Sequence, residues 1–381
     1  MQIPPLVHKI NSPADIDPRD VHEGVLGILD LPAGHTRDVM LGSVLTGLLL
    51  RGPRIAEVEA AVRAATCLDR DGWDYCQPPA GVRLVGYTGS GKKTFKTLNL
   101  SSAAAFVAAT GGAHIAKLGS RSASSKTGSR DFIDLVGADC DAVPHDEMVG
   151  IAAEFGFGFF SIEHRVPEFD SRYGGRFQAV HALSLAFPAL LSPVVCPSYV
   201  YGLSHPAVDV SAQLLARLGL EDVTVINSSS GTALHVDELL PGSTVRVSRI
   251  RDGRCDPALP QDVSRAAALI PGDLRSIAQL PDPHTNVAAV VHVLAGHGSS
   301  SARNAVALNA ALLMVTGHAA PILQAGLDTA QTILRTGAAL DTLRRFVRLT
   351  GGSPRSLDAL LSRPRPVAAS AGASRKEEIS C

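Results

Sequence analysis

The stretch from Leu84 to Gly137, LVGYTGSGKKTFKTLNLSSAAAFVAATGGAHIAKLGSRSASSKTGSRDFIDLVG, decides how the rest of the chain is read. An apolar run at 82–85 ends in Thr88-Gly89-Ser90-Gly91, where glycines permit positive φ and leave backbone N–H groups uncovered, as an anion cradle requires. Lys92, Lys93 and Lys96 follow. Asn99, Ser101 and Ser102 then stand before an alanine-rich run that Gly111-Gly112 closes, the pattern of a capped helix. Hydroxyls and free N–H groups at a helix start favour a phosphate, because the helix dipole is positive there. The arrangement repeats. His114 to Leu118 reads as a second strand that carries Lys117 into a second hydroxyl-rich loop, 119–129, where Arg121, Ser124, Ser125 and Lys126 are donors, before a helix over 130–136. Two successive strand-loop-helix units with phosphate-type loops point to an α/β fold and a ligand with two separated phosphate groups. The competing explanation for either loop alone is an ordinary connection whose hydroxyls only cap helices.

Upstream, apolar residues recur at three and four through Val21, Val25, Ile28 and Leu29 and again from Val39 to Leu49, so that 19–69 reads as three helices punctuated by glycine and proline. Downstream, 155–162 has the length of a buried strand. Glu163, His164, Arg165, Glu168, Asp170, Arg172 and Arg176 then crowd together before an apolar segment at 182–191. The carboxylates Glu163, Glu168 and Asp170 suit a cationic small molecule, or else form a solvated face alternating with arginines. Tyr199 to Leu203 and Val223 to Ile226 read as further strands, with a helix between them. Beyond Gly231 comes His235-Val236-Asp237-Glu238-Leu239, whose adjacent carboxylates suit magnesium. By itself an acidic doublet is weak evidence, since Asp146-Glu147 is another; its place after a strand and a glycine-containing loop strengthens it. The last third holds four helical runs between 285 and 349, and a Pro/Ala/Ser-rich tail over 361–381 is expected to be disordered.

Thirty-five Lys and Arg against 36 Asp and Glu leave a net charge of −1, so a nucleic-acid partner is not expected. No apolar segment approaches the roughly 18 to 20 residues of a membrane helix, and MQIPPLVHKI lacks the apolar core of a secretory signal, so a cytoplasmic location is expected. Six scattered cysteines without a CxxC pair read as reduced thiols rather than a metal site.

Asn99-Leu100-Ser101-Ser102, together with 117–129 (KLGSRSASSKTGS), resembles the signature of anthranilate phosphoribosyltransferases and their nucleoside-phosphorylase relatives. The resemblance implies a small N-terminal α-helical domain over 1–80, with a contribution from about 165–195. It further implies a larger α/β domain with a central, mostly parallel sheet over 81–164 and 196–360, and a homodimer joined through the helices. It implies 5-phosphoribosyl 1-diphosphate as donor and Mg2+ as the ion. Gly89, Ser90, Asn99 and Ser101 would then hold diphosphate, and Asp237 and Glu238 would be metal ligands with Ser101 as a third. Lys117 and Ser125 would hold phosphate oxygens, with Thr97, Ser102, Arg121 and Lys126 as further contacts. Either Arg172 or Arg176 would stand for the arginine that binds the acceptor.

The chain also departs from the family. Ser90-Gly91-Lys92 replaces Gly-Gly-Asp, two extra residues precede Asn99, and Phe187 stands where glycine is usual. The departure at Phe187, with the acidic segment, leads to the expectation of a different acceptor, an aminoglycoside such as neamine in antibiotic biosynthesis, with Glu163 or His164 as general base for a hydroxyl. Anthranilate itself, a nucleoside phosphorylase and a non-catalytic nucleic-acid-binding relative are the alternatives.

Overall fold

The computed structural model describes residues 5–122, 125–231 and 234–364, so Ser124 and all of the tail beyond 364 lie outside the described residues. Four helices come first: α1 (Pro5–Lys9), α2 (Pro18–Leu29), α3 (His35–Leu50) and α4 (Ile55–Cys67). The alternating units follow as β1 (Leu84–Gly89), α5 (Leu100–Thr110), β2 (His114–Gly119), α6 (Ser129–Leu135), α7 (His145–Phe155), β3 (Phe157–Ser161), α8 (Pro167–Tyr173), α9 (Phe187–Leu190), β4 (Ser198–Gly202), α10 (Val208–Arg217) and β5 (Asp222–Ser230). Then come β6 (Leu234–Val236), β7 (Thr244–Arg251), β8 (Arg254–Cys255) and α11 (Ala258–Leu269). The chain closes with α12 (Pro283–Leu294), α13 (Ser300–Thr316), α14 (Leu323–Thr336), α15 (Ala338–Leu349) and α16 (Pro354–Leu361).

One sheet runs β3-β2-β1-β4-β5-β7-β8, with β6 paired to the end of β5. The first five strands in that order are parallel and buried along nearly their whole length, which is why 157–161 (FGFFS) is almost unbroken hydrophobe. Helix α5 lies on one face under α12, α13, α14 and α15. Phe106 of α5 stacks on Phe157 at 4.1 Å and meets Phe346 edge-on at 5.7 Å, joining three layers. From β1 the chain winds through β2 to β3, then returns to the other side of β1 to lay down β4. The reversal leaves a crevice between the carboxyl ends of β1 and β4, where ligands of open α/β sheets bind.

Helix α2 packs on both α3 and α4, and α3 and α4 also pack on the turn at 182–185. Arg176 pairs with Asp38 of α3 at 3.4 Å, so the segment after α8 is fastened to the N-terminal helices. Among the described residues, no helix is long and apolar enough to cross a membrane.

The antiparallel margin, β6 to β8, has no counterpart in the expectations above. Its strand β7 reads TVRVSRIR, and the arginines disguise it. Arg249 is nevertheless buried, because Asp222 on the neighbouring β5 accepts from its Nε at 3.0 Å and from a terminal nitrogen at 2.9 Å. Removing one partner of a buried pair leaves the other charge uncompensated. Asp222→Ala should therefore lower the unfolding free energy by about 3–5 kcal/mol in urea titrations, whereas Asp262→Ala, at an exposed position of α11, should change it by less than about 0.5 kcal/mol.

Candidate active site

A cavity of about 400 Å³ opens at the carboxyl ends of β1 and β2, reaching the turn after β6 and the segment from α8 to α9. At one end are Asp237 and Glu238, both buried. Room for them comes from glycine: a Cβ on Gly202 would lie 2.0 Å from the Asp237 carbonyl oxygen, and one on Gly89 would lie 2.5 Å from its Oδ2. The glycine loop answers with a backbone donor, Gly91 N–H to Asp237 Oδ2 at 2.9 Å. It also supplies Lys93, whose ammonium bonds Glu238 Oε1, lies 3.3 Å from Asp237 Oδ1 and donates to Thr97 Oγ1 at 2.8 Å. Burial opposes the charge on Lys93, but the two carboxylates outweigh it and raise its pKa. Burial likewise pushes the Glu238 carboxyl up, with Lys93 acting against it.

Asn99 joins the two phosphate-type loops. Its Nδ2 donates to the carbonyls of Thr127 and Gly128 at 3.3 and 3.1 Å, and its Oδ1 accepts from Thr127 Oγ1 at 2.8 Å. Asp131, on the first turn of α6, holds the second loop closed by accepting from the N–H groups of Ser122 and Gly128. Between the loops Lys117 rises from β2, buried, with its ammonium 4.5 Å from the Tyr87 ring centre and, among the described residues, only backbone carbonyls at 3.4 and 3.5 Å as acceptors. Burial pulls its pKa down to about 8. A cation in that state has an energetic reason to accept an anion.

Gly89, Ser90, Thr97, Asn99, Ser101, Lys117, Arg121, Ser125, Glu163, Asp237 and Glu238 all line the cleft. Several are already committed to the protein. Ser90 Oγ accepts from Ser204 N–H at 2.9 Å, Ser125 Oγ lies 2.8 Å from Ser122 Oγ, and Arg121 reaches back to Asp134 at 3.3 Å. Five of the expected residues stand outside the cleft lining. Ser102 is buried in α5 outside the cleft lining, and Lys126 meets Gln279 through its backbone N–H. Arg172 pairs with Glu168 one helical turn away, and Arg176 with Asp38, so neither arginine lines the cleft. His164, on a 3-10 turn that carries Glu163 inward, is exposed, 3.9 Å from Asp141 and outside the lining.

Beyond the acidic end the walls become aromatic and aliphatic: Val166, Phe169, Tyr173, Phe177, Leu183 and Phe187. Phe169 stacks on Tyr173 at 4.7 Å and Tyr173 on Phe177 at 5.0 Å. Of these rings the sequence reading singled out Phe187 alone, as a departure from the family and not as a wall of the site, because the surrounding charges dominate the pattern. The Lys93 contact with the acidic pair was missed as well. A signal for it existed, since two adjacent buried carboxylates require a nearby cation and three lysines follow the glycine loop.

A parallel sheet with two phosphate-type loops and an acidic pair facing them across a switch point is the frame of an α/β small-molecule-binding site. A family model described as "Glycosyl transferase family, a/b domain" matches residues 81–340. Anthranilate phosphoribosyltransferases of Thioalkalivibrio sulfidiphilus and Alkalilimnicola ehrlichii are 30% and 31% identical over 321 and 326 residues, 83% of this chain and 90% of each relative. The crystal structure of anthranilate phosphoribosyltransferase from Thermus thermophilus superposes with a TM-score of 0.69 at 26% identity, covering 91% of this chain and 99% of that one. The enzyme from Saccharomyces cerevisiae in complex with PRPP and Mg has the same fold, with a TM-score of 0.69 at 19% identity over 91% of this chain and 97% of that one. This chain therefore belongs to the anthranilate phosphoribosyltransferase family of glycosyltransferases.

The state of Lys117 is open to test with sulfate, a phosphate mimic of constant charge near neutrality. As pH rises through about 8 the lysine loses its proton and with it the reason to hold an anion. The rise in unfolding temperature produced by sulfate should be largest near pH 7 and shrink toward pH 9, and Lys117→Met should abolish most of it at every pH.

Proposed function

We propose that the protein transfers 5-phosphoribosyl from 5-phosphoribosyl 1-diphosphate to the amine of an aromatic acceptor of the anthranilate kind, with Mg2+ as the ion. One observation carries this reading: the two phosphate-type loops and the acidic pair open onto the same cleft whose far half is walled by aromatic rings. The relatives named anthranilate phosphoribosyltransferases, and the yeast structure holding the donor and magnesium, support it.

The donor set fits magnesium. Asp237 Oδ1 is buried with only the Lys93 ammonium near it, Glu238 stands beside it, and the Ser101 hydroxyl lines the same cleft. Magnesium usually takes one or two carboxylates and completes its shell with phosphate oxygens and water. When bound, it would offset the charge that grows on the departing diphosphate. The backbone N–H groups of the glycine loop, with Asn99 and Ser101 at the start of α5, would grip that diphosphate. Lys117 and Ser125 would hold phosphate oxygens of the donor, and Lys93 would keep the acidic pair from repelling it. An aromatic amine is a neutral nucleophile at physiological pH and attacks without a base to free its lone pair. Of the two expected bases His164 lies outside the cleft and Glu163, which lines it, already accepts from the Arg121 N–H, which favours direct attack over hydroxyl activation.

The geometry argues against the acidic-acceptor expectation in most respects. Glu168 is exposed and paired with Arg172, and Glu163 accepts from Arg121 N–H at 2.8 Å. Asp170 does line the cleft, and this supports a second reading in which a polyamine-bearing sugar such as neamine is the acceptor. Calorimetry and an acceptor screen decide. The donor should bind at least 10-fold more tightly with magnesium than without, and donor consumption should require anthranilate and ignore neamine. The reverse acceptor preference would establish the second reading, and base release from pyrimidine nucleosides without magnesium would establish a nucleoside phosphorylase.

We also infer a homodimer joined through α3. Val39 and Leu50, eleven residues apart, share one helical face and remain 65% and 77% exposed. Replacing both with aspartate should halve the mass seen by sedimentation; an unchanged mass would exclude this face.

A further inference from the structure

Lys92 lies within the glycine loop beside Lys93, yet the two ammonium groups go to opposite halves of the cleft. Its backbone occupies the left-handed region, φ 55°, which is strained for a residue with a Cβ. That conformation carries its side chain away from the acidic pair. The ammonium sits 2.5 Å from Tyr173 Oη and 3.2 Å from His181 Nε2, and Tyr173 Oη and His181 Nε2 are themselves 2.6 Å apart. Burial keeps the phenol protonated and, with Lys92 adding to the effect, the imidazole neutral. Neither partner is therefore an anion. Among the described residues, no carboxylate lies within salt-bridge distance of Lys92, although Lys92 and Tyr173 both line the cleft.

Burying an ammonium among neutral groups is unfavourable unless something compensates for it. Lys117 is in the same position at the donor end, where a phosphate would supply the missing charge. At Lys92 the missing charge belongs to the half walled by Phe169, Phe177 and Phe187. Arginine is not available there: Arg172 and Arg176 are paired elsewhere, and Arg165 lies against Trp73 and Tyr75, 5.0 Å from each ring.

We propose that Lys92 determines acceptor specificity, its ammonium receiving the carboxylate of the aromatic acceptor while Tyr173 and His181 hold it in place. The inference rests on the aromatic-amine reading above and adds to it the acceptor's charge and the residue that reads it. A polyamine would meet a like charge at this point.

The test compares anthranilate with 2-aminobenzamide, which keeps the ring and amine but replaces the carboxylate with a neutral group of the same size. For the unaltered protein, KM should be about 10- to 100-fold higher for the amide, the value of one charge-assisted hydrogen bond, with kcat changed far less. Lys92→Met should raise KM for anthranilate by the same factor and leave that for the amide within about threefold. Lys92→Arg should retain part of the preference. Calorimetric binding of the donor with magnesium reports whether each variant is folded, and if Lys92→Met is not, the acid-to-amide ratio of the unaltered protein decides. Equal KM values for acid and amide in the unaltered protein, or equal losses for both acceptors in Lys92→Met, would overturn the proposal while leaving the aromatic-amine reading intact. Turnover of neither acceptor by protein that binds the donor would overturn both.

Discussion

Two carboxylates on consecutive residues, both removed from water, cannot remain ionised without a cation close by. Asp237 and Glu238 are in that position, and the cation is Lys93 from the loop after β1. The requirement determines more than a local contact. It draws the glycine loop across the switch point of the sheet to the turn after β6, with the Gly91 N–H on Asp237 as a second tie. It also explains why Gly89 and Gly202 tolerate no side chain, since a Cβ at either would occupy the space that Asp237 needs. The cleft has its shape because this charge cluster holds two distant parts of the chain together.

Three lysines divide the cleft by the company they keep. Lys93 has carboxylates of the protein itself in direct contact, whereas among the described residues Lys117 and Lys92 bond no carboxylate, and burial draws the pKa of each of those two down to about 8, at Lys117 against the more distant pull of Asp237 and Glu238. An ammonium that is already balanced serves structure, and one that is not balanced is prepared for an anionic ligand. The same distinction separates the arginines: Arg249 is balanced by Asp222 within the sheet and Arg176 by Asp38 on α3. Counting basic residues near the loop does not separate these roles, because the role depends on which counter-charge lies within about 4 Å in three dimensions.

Much of the donor half was legible beforehand because its devices are local. A glycine loop, a hydroxyl before a helix and a lysine at the end of a strand each act within a few residues of chain, and their spacing survives in the sequence. Asn99 was visible as a helix-start residue, although its bonds to Thr127 and Gly128 were not. The half beyond the acidic pair was less legible for the opposite reason. The charges at 163–176 suggested an acidic surface, but α8 directs Glu168 and Arg172 toward each other on its outer side and Phe169 and Tyr173 into the cleft. A helix of seven residues is too short for its apolar face to stand out against so many charges.

By itself, the order of residues determined the alternating strands and helices, the two anion loops and the acidic doublet, since each depends on propensities and spacings that neighbours along the chain impose. Tertiary structure alone decided the antiparallel margin, where Arg249 is admitted to the interior because Asp222 faces it and Asp256 lies within reach, and the division of labour between Lys92 and Lys93. Adjacent in sequence and identical in chemistry, those two lysines differ because one backbone twist sends them to different halves of the cleft. Charge is a property of the residue, but its use is set by the partners that folding brings near.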